Sequence, residues 1–332
     1  MVVSPVINKE TFVMLKFGII GMNDGNGHPY SFAASFNGFN ADALEKKCTF
    51  PIIREYLTAH HRNQEFIPDA RVTHIWTQDK KVSQQVADVS NIPHVADSIA
   101  ELVSQVDGII FARDDIWNHW DMAKDIFASG KPVYMDKLLA HDVDDLKKFI
   151  AVTGEDYPLL TASSYQFAPD VSAAAASMPL NELRTVHGIS PVIWVRYAPH
   201  LLGALFAVCG NDVISVQNCG RDKEDTVCLT FSNGVQAILQ VFEGMALPLG
   251  LKFFFNSPHA PVEVPYTDCG LKSYFLSIVE MMRAFTEMVK TGKKAVSFAD
   301  TLKTNAIVLA GIRSGKENGR KIFAEEFMGY VK

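Results

Sequence analysis

The sequence predicts an α/β protein with a doubly wound parallel sheet in its first half and an open, mostly antiparallel sheet in its second. In the first half, short apolar runs alternate with helical patterns, which is typical of a parallel sheet covered on both faces. In the second half, strand patterns follow one another, and two amphipathic helices end the chain. A chain of 332 residues is longer than one core usually serves. We therefore expect two domains, 14–150 and 151–332.

The strands of the first half are apolar runs bounded by turn signals, at 15–21, 71–77, 108–113, 132–137 and 158–164. The clearest helical patterns are 117–130 and 142–154, and the long segment 40–66 predicts an inserted helix. Ligands of such sheets bind beyond the carboxyl ends of the strands. Lys137, at the end of the run "PVYMDK", is therefore a candidate functional residue.

The strands of the second half lie in "ELRTVHGI", "DVISVQNC", "DTVCLTFSNGVQAILQVFEG" and "LGLKFFFN". The "SNG" at 232–234 predicts a hairpin turn. The first C-terminal helix is marked by an apolar stripe at helical spacing, formed by Leu271, Phe275, Ile278, Met282, Phe285 and Val289. The second is predicted in "SFADTLKTNAIVLAGIRSG". Together these patterns predict a second α/β domain.

Composition narrows the possible partners. The net charge is −6 and no basic block is interleaved with aromatic residues, which argues against nucleic acid. The five cysteines are scattered, which indicates free thiols in a reducing compartment. The N-terminus lacks a signal-peptide pattern, and no apolar run approaches the ~20 residues that span a bilayer. We expect a cytoplasmic protein with a small-molecule substrate and no membrane partner.

A glycine-rich loop, "GIIGMNDGNGHPYSF" (18–32), follows the first strand where dinucleotide-binding folds hold pyrophosphate. In the fingerprint G-x-G-x-x-G counted from Gly21, Asn23 and Asn26 stand at the second and third glycine positions. Asparagine tolerates positive φ better than most residues. Two interpretations stay open: a phosphate-binding turn, or a glycine-rich turn without a ligand.

The second strand ends at Thr77, where the fingerprint has an acid that bonds the adenosine ribose. Without an acid there, and with Lys80 and Lys81 nearby, the 2′-phosphate of NADP would be repelled less. A solvated strand end is an equally good interpretation.

Two groups of polar residues contain the residue types that bind metals. "RDDIWNHWD" (113–121) gathers three aspartates and His119, but a strand-to-helix turn favours helix capping or contacts at the cofactor rim over a metal. His60 and His61 are adjacent and would point in different directions on a helix, so we expect both on the surface. No metal site is predicted.

"GKPVYMDKLLA" (130–140) resembles the "GKHVLCEKPLA" signature of the Gfo/Idh/MocA oxidoreductases, the glucose–fructose oxidoreductase and inositol dehydrogenase group. "SSYQFAP" (163–169) and the segment 285–322 are similar to two further parts of that family, and the resemblance spans about residues 15 to 325. It implies an N-terminal Rossmann domain, NAD or NADP as cofactor, and oxidation or reduction of a sugar-like hydroxyl. It also implies a homo-oligomer, a dimer or tetramer, that pairs through the open C-terminal sheet.

By this resemblance Lys137 matches the lysine that bridges the nicotinamide ribose and the substrate hydroxyl, and Asp136 the acid before it. Leu138 replaces the family's proline. The predicted cofactor contacts are Gly21, Asn23, Asp24, Gly25, Asn26, Gly27, His28, Thr77, Gln78, Ala112, Arg113, Asp114, His119, Asp136 and Lys137.

The family's second motif, D-x-G-x-H-x-x-D, corresponds to "RYAPHLLG" (196–203). His200 keeps the histidine, whereas Arg196, Ala198 and Gly203 replace the aspartates and the glycine. The predicted substrate contacts are Gln166, Arg196, Tyr197 and His200, and the predicted catalytic residues are Lys137 and His200.

A lysine that acts as base needs its pKa lowered from about 10.4 toward about 7–8. Apolar neighbours and a nearby Arg196 would both lower the pKa of Lys137, and His200 would take or relay the proton. Alternatively, Arg196 clamps a carboxylate or phosphate, which predicts an anionic substrate. Each residue also has a plain structural interpretation, Lys137 as a solvated strand end and His200 as a partly buried histidine.

The function predicted is an NAD(P)-dependent oxidoreductase acting on a sugar, sugar acid or cyclitol-like compound. The alternative is a non-catalytic member of the same scaffold that senses a nucleotide or sugar. Retention of Lys137 and His200 favours the enzyme, whereas replacement of the aspartates and fingerprint glycines favours the sensor.

Overall fold

The first sheet has six parallel strands in the order β3-β2-β1-β4-β5-β6. The computed structural model describes residues 14–61, 66–266 and 271–331. The strands are β1 Leu15–Ile20, β2 Ala70–Trp76, β3 His94–Val95, β4 Gly108–Phe111, β5 Val133–Asp136 and β6 Leu159–Ala162. The order reverses direction between β1 and β4, which places a ligand cleft at their carboxyl ends. The predicted doubly wound fold is confirmed.

Helices connect these strands and cover both faces of the sheet. They are α1 His28–Asn37, α2 Ala41–Lys47, α3 Pro51–Tyr56, α4 Lys80–Val89, α5 Ile99–Gln105, α6 His119–Ala128 and α7 Val143–Thr153. Local chemistry sets several starts, because the side chains of Asn40, Asp79 and Ser98 each accept a backbone N–H of the first turn. The helices α2 and α3 confirm the predicted insertion.

A π-helix, Leu57–His61, continues α3 and carries a correction. His61 is fully buried, and its Nε2 donates a hydrogen bond of 2.6 Å to the carbonyl of Ala34. The prediction that both adjacent histidines lie on the surface was therefore wrong for His61, which packs against Phe39 and Phe275.

The second sheet is mixed, with seven strands in the order β12-β11-β7-β10-β9-β8-β13. Its strands are β7 Leu183–Pro191, β8 Val213–Asn218, β9 Glu224–Phe231, β10 Gln236–Phe242, β11 Gly250–Phe255, β12 Val262–Pro265 and β13 Ile322–Phe323. Within the described part of this second sheet, β7 and β10 are the one pair of neighbours that run parallel. The predicted hairpin joins β9 to β10, with Gly234 at φ 86°.

The helices of the second half are α8 Pro169–Ser177, α9 Trp194–Cys209, α10 Lys272–Thr291, α11 Phe298–Lys316 and α12 Ala324–Phe327. α10 packs on the first domain, where the ring of Phe285 lies 5.1 Å from that of Phe17. In α11, buried Asn305 bonds both the N–H and the carbonyl of Ala140. The second half therefore holds the loop that follows Lys137.

The predicted domain limit at residue 150 falls inside α7, and β6 belongs to the first sheet. We therefore propose that the first domain ends after Ala162. Among the described residues no helix is long and apolar enough to cross a membrane. Four of the cysteines are free, and Cys269 lies outside the described residues. The predicted cytoplasmic location stays a prediction.

Candidate active site

The glycine-rich loop forms a tight turn between β1 and α1. The N–H of Asn26 donates to the carbonyl of Asn23 at 3.1 Å, and Gly25 has φ 75°, where glycine is favoured. Asn26 also accepts the N–H of His28 through Oδ1, at 2.7 Å. The two asparagines thus shape the turn in which the fingerprint has glycines.

Gly21 stands at the first glycine position of the fingerprint, where packing leaves no room for a side chain. A Cβ at this position would lie 2.7 Å from Cγ of Pro29 and 3.0 Å from the carbonyl oxygen of Ala112. Only glycine lets α1 begin this close to the strand ends. The loop therefore has the close helix–strand approach that dinucleotide sites require.

A cleft of about 480 Å³ opens beyond the carboxyl ends of β1, β2 and β4. Its lining residues are Met22, Asn23, Asp24, Thr77, Gln78, Asp79, Val82, Arg113, Asp115, Trp117 and Arg196. Its size lies in the range of small-molecule sites. The glycine loop on one wall, exposed Trp117 on another and two arginines fit an elongated ligand that carries phosphates.

At the β2 end, the acid that lines the cleft is Asp79, two residues after Thr77. Thr77 is buried, and its Oγ1 donates to the carbonyl of Asp79 at 2.7 Å. Asp79 is exposed, lines the cleft and caps α4 by accepting the N–H of Lys81. Lys80 pairs with Asp97, away from this wall. The position of Asp79 before a helical pattern is the sequence signal that points to this acid.

Lys137 is 3% exposed at the end of β5. Its Nζ lies 3.6 Å from Oδ2 of Asp114 and 4.0 Å from Oδ1 of Asp136. Burial disfavours the ammonium, but the two carboxylates outweigh burial and raise the pKa of Lys137. The expectation of a lowered pKa for Lys137 was wrong, because it counted apolar neighbours and Arg196 but left out the charges of Asp136 and Asp114.

Asp114 joins three parts of the site. It accepts hydrogen bonds from Nη2 and Nε of Arg196, at 2.7 and 3.2 Å, and from Nδ2 of Asn23 at 2.9 Å. Burial alone would raise the pKa of Asp114, but Lys137, His28 and Arg196 hold it well below its usual range. Asp114 therefore links the glycine loop, the end of β5 and helix α9 as an ionised carboxylate.

Asp136 is buried on the other side of Lys137 and contacts Nδ1 of His28. Burial opposes its ionisation, yet His28 and Lys137 lower the pKa of Asp136 below its usual value. The side chain of His28 is 20% exposed and stacks on Phe32. His28 is therefore the member of this ionic network, together with Arg196, that lies nearest the solvent.

Helix capping or contacts at the cofactor rim were predicted for "RDDIWNHWD". Its side chains cap neither of the two helix starts in this segment, whereas Arg113, Asp115 and Trp117 line the cleft. Asp115 pairs with Arg113, whose Nε donates at 2.8 Å, and gives no side-chain cap. His119 is fully buried, donates through Nε2 to the carbonyl of Arg113, and does not line the cleft. Both residues hold Arg113 in place. Among the described residues, the group with metal-ligand spacing is His141, Asp142 and Asp145, at the start of α7.

His200 lies on α9, one turn after Arg196, and is 7% exposed. Its Nδ1 is 2.7 Å from Oγ of Ser163, and its ring is 5.2 Å from that of Tyr197. Nζ of Lys137 lies over the Tyr197 ring, 5.9 Å from the ring centroid. The predicted Lys137, Arg196, Tyr197 and His200 therefore meet in one place. Gln166 lines a separate cavity of about 410 Å³, with Gly203 and Phe206.

The described geometry agrees with comparisons to known proteins. Residues 52–158 match the model of the Gfo/Idh/MocA family, described as an oxidoreductase family with an NAD-binding Rossmann fold. The resemblance predicted from the sequence is confirmed. A comparison with curated protein sequences found no match.

Several solved structures share the fold over most of their length. One is a myo-inositol dehydrogenase from Corynebacterium glutamicum, 13% identical, with a TM-score of 0.70, covering 94% of this chain and 99% of that one. Another is GenD2 from gentamicin A biosynthesis in complex with NAD, 14% identical, with a TM-score of 0.69, covering 94% of this chain and 96% of that one. A third is an oxidoreductase from Agrobacterium radiobacter in complex with NAD⁺, L-tartaric acid and magnesium. It is 17% identical, with a TM-score of 0.69, and the match covers 94% of this chain and 98% of that one. At these identities the likeness shows the fold.

Proposed function

We propose that this chain, which carries the NAD-binding Rossmann domain of the Gfo/Idh/MocA oxidoreductases, transfers a hydride between a nicotinamide cofactor and a hydroxyl or carbonyl group of a sugar, sugar acid or cyclitol-like substrate. One observation carries the proposal. A buried ammonium, Lys137, is held between Asp114 and Asp136. Asp114 also bonds Arg196, which lines the cleft. The inositol dehydrogenase among the structural neighbours supports the substrate class.

NAD fits the cleft better than NADP. The loop from Gly21 to Gly27 would hold the pyrophosphate on backbone N–H groups. The carboxylate of Asp79 would bond the ribose hydroxyls and repel a 2′-phosphate. When bound, the nicotinamide supplies or accepts the hydride.

Lys137 handles the proton. Because its neighbours raise its pKa, Lys137 is an ammonium at neutral pH and donates a proton to the oxygen of a carbonyl that is being reduced. Asp114 and Asp136 hold the ammonium in position. The partly exposed His28, in contact with Asp136, is the route by which solvent returns the proton.

Arg196 selects substrates with an anionic group. Its guanidinium lines the cleft and is bonded by Asp114 through one carboxylate oxygen, which leaves Nη1 for a substrate carboxylate. In an Arg196→Ala variant we expect KM to rise for sugar acids and to change little for neutral sugars. Equal KM changes for both classes would contradict this role.

The alternative is a sensor that binds a nucleotide or sugar without turnover. The ion pair between Arg196 and Asp114 favours it, because this pair stands where the family motif has an aspartate and the two buried groups, Lys137 and His200, lie behind it. Titration with NADH and NADPH, followed by a screen of sugars, sugar acids and inositols for changes in NADH absorbance, separates the two functions. Binding of NADH without any turnover would favour the sensor. Absence of both NADH and NADPH binding would contradict the oxidoreductase and a nucleotide sensor.

The open face of the second sheet is the surface that we propose for a homo-oligomer. Helices α9 and α11 cover one face of this sheet, and Ile189, Ile238 and Phe242 lie half-buried in the alternating pattern of the other. An Ile238→Lys variant should lower the molar mass measured by light scattering. An unchanged mass would argue against this surface.

A further inference from the structure

The two ring nitrogens of His200 have different surroundings. Nδ1 lies 2.7 Å from the hydroxyl oxygen of Ser163, which also accepts the N–H of Tyr165 at 3.1 Å. A serine hydroxyl has one hydrogen to donate. Among the described residues, Nδ1 of His200 is the acceptor within reach of that hydrogen. Nδ1 therefore accepts from Ser163, and the proton of a neutral ring is carried by Nε2.

The opposite nitrogen is free to contact a ligand. Nε2 of His200 has no hydrogen-bond partner among residues 14–61, 66–266 and 271–331. Burial lowers the pKa of His200 far below its ordinary value, and the positive charges of Lys137, His28 and Arg196 lower it further, against the opposing charge of Asp114. The ring is therefore neutral, with an N–H donor on its free side.

Ser163 and Lys137 are neighbours because of sheet register. Asp136 of β5 pairs with Ala162 of β6, so that the next residue of each strand, Lys137 and Ser163, leaves the sheet side by side. The ring of Tyr197 lies near both Lys137 and His200. The ends of β5 and β6 thus place the ammonium of Lys137 and the neutral N–H donor of His200 beside the same tyrosine ring.

We propose that Ser163 is a positioning residue that fixes His200 as the Nε2–H tautomer, and that the paired donors Nε2–H and the Lys137 ammonium suit the site to reduction of a carbonyl. This inference rests on the proposed function and adds its direction. The carbonyl carbon receives the hydride and the oxygen takes the electron pair of the C=O bond, while the cofactor leaves oxidised. Lys137 gives that oxygen a proton and regains one from solvent, whereas His200 donates a hydrogen bond only.

The identity of residue 163 decides which role His200 has. A carboxylate at this position would accept from Nδ1–H and leave Nε2 as an acceptor, which suits a base. A hydroxyl whose oxygen already accepts a backbone N–H instead donates to Nδ1. Ser163→Ala therefore removes the donor, Ser163→Thr keeps it, and Ser163→Asp reverses the tautomer.

The test is nitrogen NMR of protein labelled with ¹⁵N-histidine, in which long-range proton–nitrogen correlations distinguish the two tautomers. A His200→Gln variant assigns the signal. We expect Nε2–H in the wild type and in Ser163→Thr, a loss of this preference in Ser163→Ala, and Nδ1–H in Ser163→Asp. With NADH and a ketose or inosose, kcat of Ser163→Ala should fall about tenfold and recover in Ser163→Thr, while the Kd for NADH stays unchanged.

The NMR readout needs neither substrate nor cofactor, so it is separable from the proposed function. An Nδ1–H or charged ring in the wild type, or an unchanged tautomer in Ser163→Ala, would overturn the positioning role. The expected tautomers in a chain that does not bind NADH would overturn the proposed function, and with it the catalytic part of this inference. A kcat/KM for carbonyl reduction that rises as pH increases through the range in which Lys137 loses its proton would overturn the assigned proton donor and the direction.

Discussion

The two ends of the cleft use charged groups in opposite ways. On the glycine loop and at the β2 end, Asp24 and Asp79 are exposed, so water screens each charge and each contributes separately. At the β5 end, Asp114 and Lys137 are buried and set one another's ionisation. Single substitutions can therefore change ligand preference at the β2 end. At the β5 end, a substitution of Asp114 or Lys137 also changes the ionisation of the other residue.

The largest effect is expected from Lys137→Met. Loss of the ammonium removes the proton donor and leaves two buried carboxylates with fewer cations, so we expect kcat to fall about a thousandfold. Steady-state NADH oxidation measures it. Lys80→Met is the matched control, because Lys80 is an exposed lysine paired with Asp97 at the other end. Comparable rates for both variants would contradict a catalytic Lys137.

Asp114→Asn should be the next largest change and acts mainly on stability. It leaves Lys137 and Arg196 without their shared carboxylate, and breaking a buried pair costs about 3–5 kcal/mol. Urea unfolding measures the free energy. The control, Asp97→Asn, breaks an exposed pair and should cost less than about 1 kcal/mol. Similar costs would show that the buried network is not interdependent.

The stabilities of the wild type and of Asp114→Asn should depend differently on pH. The pKa of Asp114 is depressed in the folded state, so its contribution is present above the unfolded pKa of about 3.9 and is lost as pH falls toward the folded pKa. The difference in unfolding free energy between wild type and Asp114→Asn should therefore shrink below about pH 4. A difference that is constant between neutral and acid pH would mean that Asp114 is not ionised in the folded protein.

Sequence patterns predicted most of this fold because helix and strand periodicity is local. The runs around β1, β2, β4, β5 and β6, the hairpin and the two C-terminal helices are confirmed. Lys137 was predicted as a site residue because an apolar run followed by charged residues marks the end of a buried strand. The short edge strand β3 carries little periodicity and was not predicted.

The side-chain contacts around Lys137 and His200 could not be predicted from residue spacing in the sequence. Arg196 bonds a residue 82 positions away, and Ser163 bonds one 37 positions away. Such pairs depend on which strand ends lie side by side and on how α9 meets them. The predicted direction of the Lys137 pKa shift was wrong because the carboxylates of Asp136 and Asp114 both raise it.

The smallest effect is expected at the β2 end, where Asp79→Asn should raise affinity for NADPH about tenfold relative to NADH, because one screened charge near a 2′-phosphate contributes roughly 1–2 kcal/mol. Fluorescence titration with both cofactors measures the ratio. Asp24→Asn is the matched control, since Asp24 lines the same cleft on the glycine loop, where both cofactors carry the same pyrophosphate. That variant should strengthen both cofactors equally and leave the ratio unchanged. A shifted ratio in Asp24→Asn, or none in Asp79→Asn, would mean that the exposed end does not recognise the cofactor by separate charges.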